Sequence, residues 1–332
     1  MARIAEILKA LWRALRRDQR SIESVAGNNF FIVTALLLRE AGTFIYLIVG
    51  LVLLFPLSTD PLRKIPPSRL ALWPLEKGER RLLRALSPWI NPVTWGIAGV
   101  ALWCARGKVS LGLWVLFAAI AVCGFALSEF PVARGGIWHR VPHFPGPLDQ
   151  LVRKNLREIL STLDFYCALI LTLATLAWRI RGTPLPPEAF TAVTILVVLA
   201  LSSYAQSLFG LDGDGGLSRY RLLPLAGWRI LAAKDAAFLL VTIPLILPLA
   251  ILPGICAALA ALAFGHHASV HQPREQLRWR FSTGTGVIFG LMQAGAMAMA
   301  AATAASLGPI LLLPCFAAWG ISLWWSGRIV GR

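Results

Sequence analysis

The feature that most constrains this chain is a succession of apolar runs separated by short basic stretches. The runs cover residues 28–57, 91–105, 109–128, 163–181, 189–210, 236–264, 284–304 and 306–325. A helix that crosses a bilayer needs roughly 20 apolar residues. In hydrocarbon, backbone polar groups must be paired within the protein, which leaves helices as the solution for runs like these. A soluble fold could not bury so many uninterrupted runs and still cover itself with polar groups. Only 14% of the residues are charged and 57% are apolar, whereas soluble domains carry about 25% charged residues. The expectation is an all-α polytopic membrane bundle, with ~8–10 membrane segments paired as hairpins.

The basic residues decide how the runs are threaded. The net charge is +16, and the cations gather in the long connections 58–90, 129–161, 211–235 and 265–283 and in the C-terminal tail. The positive-inside rule places all of these on the cytoplasmic side, with both termini, in an inner (plasma) membrane. Tight turns at Arg106-Gly107-Lys108, from Arg181-Gly182-Thr183-Pro184 and at Leu307-Gly308-Pro309 close the hairpins on the far side. Pro253-Gly254 is expected to split 236–264 into two short helices. The domain reading is an interfacial helix at 1–27, a first membrane half at 28–128, a connector at 129–161 and a second half at 162–332. The cations lie between apolar blocks without interleaved stacking aromatics, so they imply anionic lipid as partner and no nucleic acid.

Residues 3–24 predict an amphipathic helix. Ile4, Leu8, Leu11 and Leu15 follow helical spacing beside Trp12, and Lys9, Arg13, Arg16, Arg17 and Arg20 follow it on the other side. A basic face opposite an apolar face with a Trp predicts a helix lying in the membrane interface. There is no apolar core before residue 28 of the kind a signal peptide has.

The stretch 209–234 is the most informative. A Gly/Asp turn, 210–216, leads into a short helix that breaks at Pro224. Leu222, Leu223 and Leu225, with Trp228 and Ile230, form a small apolar knob ringed by Arg219, Arg221 and Arg229. Such a knob on a short cytoplasmic helix suits a groove on a soluble partner. A similar core recurs earlier, Leu70-Ala71-Leu72-Trp73-Pro74-Leu75 against Tyr220-Arg221-Leu222-Leu223-Pro224-Leu225. It aligns with one residue of gap before the basic helix that follows, and marks a weak internal duplication.

These residues resemble the cytoplasmic coupling segment of type-2 ABC-exporter permeases. There, a Gly turn is followed by Leu-Leu-x-x-Pro-Leu/Val-Ser, then Ile-Leu and a Lys. The matching positions are Gly215, Gly216, Leu222, Leu223, Pro224, Leu225, Ile230, Leu231 and Lys234. Residues 70–84 resemble the segment more loosely through Leu72, Pro74, Leu75, Arg80 and Leu82. Ala226 and Glu76 stand where the family has Ser. The resemblance implies a permease subunit, driven by a separate cytoplasmic ABC ATPase that these residues contact, with no cofactor and no catalysis of its own.

Other motifs point elsewhere only weakly. An EF-hand reading of Asp212-Gly-Asp214 fails because Gly216 and Leu223 fall where ligands are needed. His139 with His143, and His266 with His267 and His271, lack further zinc ligands and are expected to be exposed at the interface. The five cysteines read as small apolar packing residues. Gly286, Gly290, Ala294, Ala298 and Ala302 form an i, i+4 ridge of small residues that serves packing within the chain or a homodimer. The ionisable residues expected within or beside spans are Arg39, Glu40, Glu129 and Asp164. Their scarcity favours an apolar or amphipathic cargo over an ion. A membrane scaffold without transport, or a membrane-embedded enzyme, is the alternative function; the enzyme would need converging acids, histidines or metal ligands.

Overall fold

The computed structural model describes residues 2–17, 72–90, 148–180, 187–213, 215–273 and 287–331, together with 62, 65, 69, 70, 146 and 276. The expected segments at 28–57, 91–105 and 109–128, the residues Arg20, Arg39, Glu40, Glu129 and Gly286, and the pair His139 and His143 lie outside them. The described residues are mostly helical, and none of them lies in a strand. They fall into two units.

In the first unit, α1 (Ala2–Arg17) and α2 (Lys77–Leu86, continued by a 3-10 turn Ser87–Ile90) share a small core. Ile4 and Leu11 are buried with Leu62 and Leu83, and Ile7, Leu8, Leu70, Trp73, Leu75 and Ile90 pack around them. This corrects the expectation that the apolar face of the N-terminal helix is left to lipid: protein covers Ile4 and Leu11. Lys9 and Arg13 remain exposed on the opposite face, and Trp12 is half-buried. At the start of α2 the Glu79 carboxylate accepts the Glu76 N–H at 3.2 Å, which satisfies one of the free donors at a helix N-terminus.

The second unit holds α3 (Asp149–Leu160), α4 (Leu163–Ile180), α5 (Pro187–Gln206), α6 (Gly216–Arg221), α7 (Gly227–Ile246), α8 (Ile251–His271), α9 (Val287–Leu307) and α10 (Leu312–Val330). Four helical stretches among the described residues are long and apolar enough to cross a membrane: Leu163–Ile180, Glu188–Gln206, Ile251–His271 and Ile288–Val330. The last is broken by a 3-10 turn at Gly308–Leu311, where Gly308 takes φ +71. Phe289 at the start of α9 meets Phe264, and Ser322 towards the end of α10 reaches Ala263. The two helices therefore run antiparallel along one α8, and the chain reverses at Gly308-Pro309 as the sequence implies.

Helix α8 is the centre of this unit, packed by α5, α7, α9 and α10. Small residues allow the approach. A Cβ on Gly254 would sit 2.6 Å from the Ile246 side chain, and one on Gly265 would strike the Ala205 backbone. Thr194 opposite Gly254 and Ala205 opposite Gly265 show α5 and α8 running parallel.

Three sequence boundaries shift. The break in 236–264 falls at 247–250, and Pro253-Gly254 lie in the first turn of α8, where proline costs no hydrogen bond. Helix α7 starts at Gly227, so Lys234 and Asp235 belong to the bundle rather than to a loop. Helix α8 runs to His271, so the stretch 265–271 is helical and largely buried. The ridge of small residues is corrected too. Gly290 and Ala294 are buried, Ala298 is half-buried and Ala302 exposed. An i, i+4 stripe drifts about 40° per step around a helix, so it leaves the contact, which continues instead at alternating steps of three and four through Ala294, Met297, Ala301 and Ala304.

Candidate functional site

The chain leaves α5 through a 3-10 turn at Gly210–Asp212 and reverses at Gly213 and Gly215, with φ of +78 and +73. Only glycine adopts such angles without strain. Gly216 then opens α6 flush against the end of α5, since a Cβ there would lie 2.6 Å from the Phe209 carbonyl oxygen. Leu217 and Tyr220 face inward, and the Tyr220 ring meets Phe209 edge-on at 5.5 Å. Helix α6 ends at Arg221 with Leu222 as its C-cap, and Pro224 keeps the chain from continuing it. The turn is held by Leu222 N–H to Arg219 O at 3.2 Å, Leu223 N–H to Tyr220 O at 3.1 Å and Leu225 N–H to Leu223 O at 2.7 Å.

This geometry pushes the apolar knob outward. Leu222 is 85% exposed, Trp228 48% and Leu223 42%. Pro224 is exposed and Leu225 half-buried beneath it. Arg219, Arg221 and Arg229 are exposed around them, with the Arg229 guanidinium over the Trp228 ring at 5.4 Å. Contiguous exposed apolar side chains rimmed by polar ones mark contact surfaces. The structure thus brings together all eight residues expected from 219–229, whereas Ile230, expected in the knob, is buried, at 1% exposure. Leu72, Pro74 and Leu75 form a second turn in the first unit, where Leu72 is 82% exposed, and Arg80 on α2 donates from Nη2 to Trp73 O at 3.2 Å.

Beneath the knob lies an ionic cluster, buried at Asp212 and Lys234 and open to solvent at Lys154, whose side chain is 49% exposed. Asp212 Oδ2 accepts from Lys234 Nζ at 2.9 Å, and Asp212 Oδ1 pairs with Lys154 and accepts the Tyr220 hydroxyl at 3.1 Å. Lys234 also donates to Asn155 Oδ1 at 2.8 Å and lies over the Tyr220 ring at 4.7 Å. Lys154 donates to the Tyr220 oxygen at 3.1 Å and stands 3.8 Å from Glu158. One carboxylate therefore joins α3, α6 and α7 at the root of the knob.

The electrostatics follow from that placement. Burial pushes the Asp212 carboxyl up, but the Lys234 charge and the Lys154 hydrogen bond outweigh it and hold the group below its usual range. Burial pulls the Lys154 ammonium down, yet the Asp212 hydrogen bond and the Glu158 charge leave it above its ordinary value. Burial, reinforced by the Asp212 charge, raises the Tyr220 phenol. These three shifts all favour the form each group ordinarily takes at neutral pH, an ionised Asp212, a charged Lys154 and a neutral Tyr220.

Two further polar groups stand at the same end of the bundle. Asp235 accepts from Trp319 Nε1 at 2.8 Å, and its two oxygens lie 3.0 Å from His266 Nε2; His266 Nδ1 meets Ser322 Oγ at 3.1 Å. Asp164 Oδ2 accepts from Ser203 at 2.6 Å and from Gln276 at 3.2 Å. The expectation of exposed histidines is thereby corrected for His266, which is fully buried because Asp235 compensates its lost hydration; His267 and His271 are exposed. The short tally of ionisable residues also missed Glu158, Lys234, Asp235 and His266. A helical-period reading of 227–246 finds Lys234 and Asp235 on the side of Ile230, Leu231 and Phe238, which is the signal that was present.

No family model matches the chain, and no curated protein or solved structure matches it.

Proposed function

We propose that the chain is the membrane-spanning permease subunit of an ABC-type exporter, coupled to a separate cytoplasmic ATPase. The observation that carries this reading is the exposed knob of Leu222, Leu223 and Trp228 within a ring of three arginines, mounted on the buried Asp212–Lys234 pair. Contiguous exposed apolar side chains ringed by cations, outside the candidate spans, suit a contact with a partner. A brace of ion pairs beneath it passes force from that partner to α3 and α7 without bending. In this reading the knobbed end faces the cytoplasm of an inner membrane, the arginines pair with acids around the ATPase groove, and the exposed cations of α1 meet anionic lipid. The exported cargo is apolar or amphipathic, because among the described residues of the second unit the buried charges Glu158, Asp164, Lys234 and Asp235 gather at one end.

The test compares the wild type with Leu223→Ala plus Trp228→Ala after co-purification with the ATPase. Hot-spot truncations usually cost ~2 kcal/mol or more each. Stimulated ATP hydrolysis and association should fall while the membrane unit stays folded. A chain that brings down no ATPase, or a double variant that associates and stimulates normally, returns the protein to a scaffold.

A further inference from the structure

The pairing of α8 with α10 brings together two cysteines that lie 59 residues apart in the chain. The register of the two helices is fixed near the knobbed end, where Ser322 Oγ donates to the Ala263 carbonyl at 2.7 Å. That pair, too, is 59 residues apart, and Cys256 and Cys315 stand seven residues before it on each helix. Parallel helices that hold one register keep positions seven apart on their shared seam. The Cys256 thiol accordingly donates to the Cys315 sulfur.

The surroundings leave the two sulfurs to each other. Both are free thiols. Cys256 is fully buried among the small residues Ala257 and Ala258, and Cys315 is half-buried between the exposed Pro314 and Phe316. Among the described residues no group of three or more His, Cys, Asp or Glu side chains could hold a metal ion, and a structural zinc needs four ligands. The chemistry open to the site is therefore that of two thiols. Cys256 lies five residues into α8 and Cys315 three into α10. Both are then roughly 5–8 Å from the end of the bundle opposite the knob. In the orientation given under Proposed function that end faces outward, towards the compartment in which disulfides form and persist.

We propose that Cys256 and Cys315 are a redox-active pair that closes to a disulfide at the outward end of the bundle and pins α10 to α8. The co-reactant is a disulfide-bearing thiol oxidant. The more exposed Cys315 loses its proton to water, and its thiolate attacks one sulfur of that disulfide. A mixed disulfide forms, and one thiolate of the oxidant leaves. Cys256 loses its proton in turn, attacks the Cys315 sulfur and displaces the second thiolate. Two protein thiols are oxidised, and one external disulfide is reduced to two thiols that take up the two protons. The bridge ties the α9–α10 hairpin to α8 at the end far from the knob. Because it also constrains the unfolded chain, the oxidised protein should melt at a higher temperature than the reduced one.

The test uses the full chain. Cells are lysed in denaturant with excess N-ethylmaleimide, so that every free thiol is capped as it stands, and peptides are mapped by mass spectrometry without reductant. A second sample is purified reduced and exposed to glutathione disulfide before capping. A peptide linking Cys256 to Cys315 is expected in both, and reductant should remove it. In Cys256→Ser, Cys315 should instead retain glutathione as the mixed disulfide, whereas in Cys315→Ser the buried Cys256 should stay unmodified. Maleimide on both cysteines from cells, no link after glutathione disulfide, or a link from either to Cys104, Cys123 or Cys167 would each overturn the pair. No ATPase enters this experiment, so its failure leaves the permease reading standing. Only the orientation is shared, and labelling at Ser218 reads that separately.

Discussion

Asp212 and Lys234 form an ion pair at 2.9 Å in which the two side chains are 3% and 0% exposed. Removing one member of such a pair leaves an uncompensated buried charge, at a cost of about 3–5 kcal/mol. Asp212→Asn should therefore lower the unfolding midpoint of the detergent-solubilised protein strongly. Asp212→Asn combined with Lys234→Met should recover more than half of that loss, because no lone charge remains. Additive losses in this double-mutant cycle would mean that the two residues do not act as a pair.

The same cluster sets how stability varies with pH. Asp212 is held below its unfolded value near ~3.9, so its contribution is fully present above that pH and is lost as pH falls through the depressed native value. Lys154 is held above its unfolded value near ~10.4, so its contribution is present below that pH and is lost as pH rises through the elevated native value. Thermal unfolding from pH 7 down to pH 3 should fall more steeply for wild type than for Asp212→Asn. An equal slope in the two would contradict the pairing.

Asp235 receives both the Trp319 indole N–H and His266. A hydrogen bond to a charged group is worth about 1.5–3 kcal/mol. Trp319→Phe should cost about that much, and His266→Ala should cost more, since it also vacates a fully buried site. His266→Gln restores a donor and should lie between wild type and His266→Ala. Equal stability of all three His266 forms, measured by thermal melts, would remove the histidine as Asp235's partner.

Gly227 and Gly327 bring the start of α7 against the end of α10: a Cβ on Gly327 would lie 2.6 Å from the Trp228 Cα. Backbone cannot yield as a flexible side chain does, and overpacking typically costs about 1–3 kcal/mol. Gly327→Ala should destabilise the protein within that range and shift Trp228 fluorescence in a variant whose other tryptophans are replaced. Gly320→Ala, on the same helix with nothing within 4 Å of its Cβ, is the control and should be silent.

Topology is checked at Ser218, which is exposed beside the knob. In intact cells Ser218→Cys should resist an impermeant thiol reagent, and it should react once the membrane is opened. Labelling from outside would invert the proposed orientation and exclude a cytoplasmic ATPase as the partner of Leu222.

Composition and the spacing of apolar runs by themselves determined the class of this protein. Runs of this length with so few charges leave a chain no other way to satisfy its backbone than as helices, so α4, α5, α9 and α10 were legible with errors of a few residues at their ends, whereas α8 was expected only as a short half ending at 264. The knob was legible too, because Pro224 and the glycines before it act through local dihedral limits that need no neighbours. The tertiary structure alone decided the fate of the charges. Lys234 and Asp235 are adjacent in α7, yet one turns to Asp212 and Asn155 and the other to His266 and Trp319, partners 22 to 84 residues away. A charge written into an apolar helix costs several kcal/mol unless something far along the chain pairs with it, and sequence spacing does not say what that will be. The same holds for α1: its amphipathic pattern fixed a face, but whether lipid or protein would cover it depended on Leu62 and Leu83 folding back onto Ile4 and Leu11.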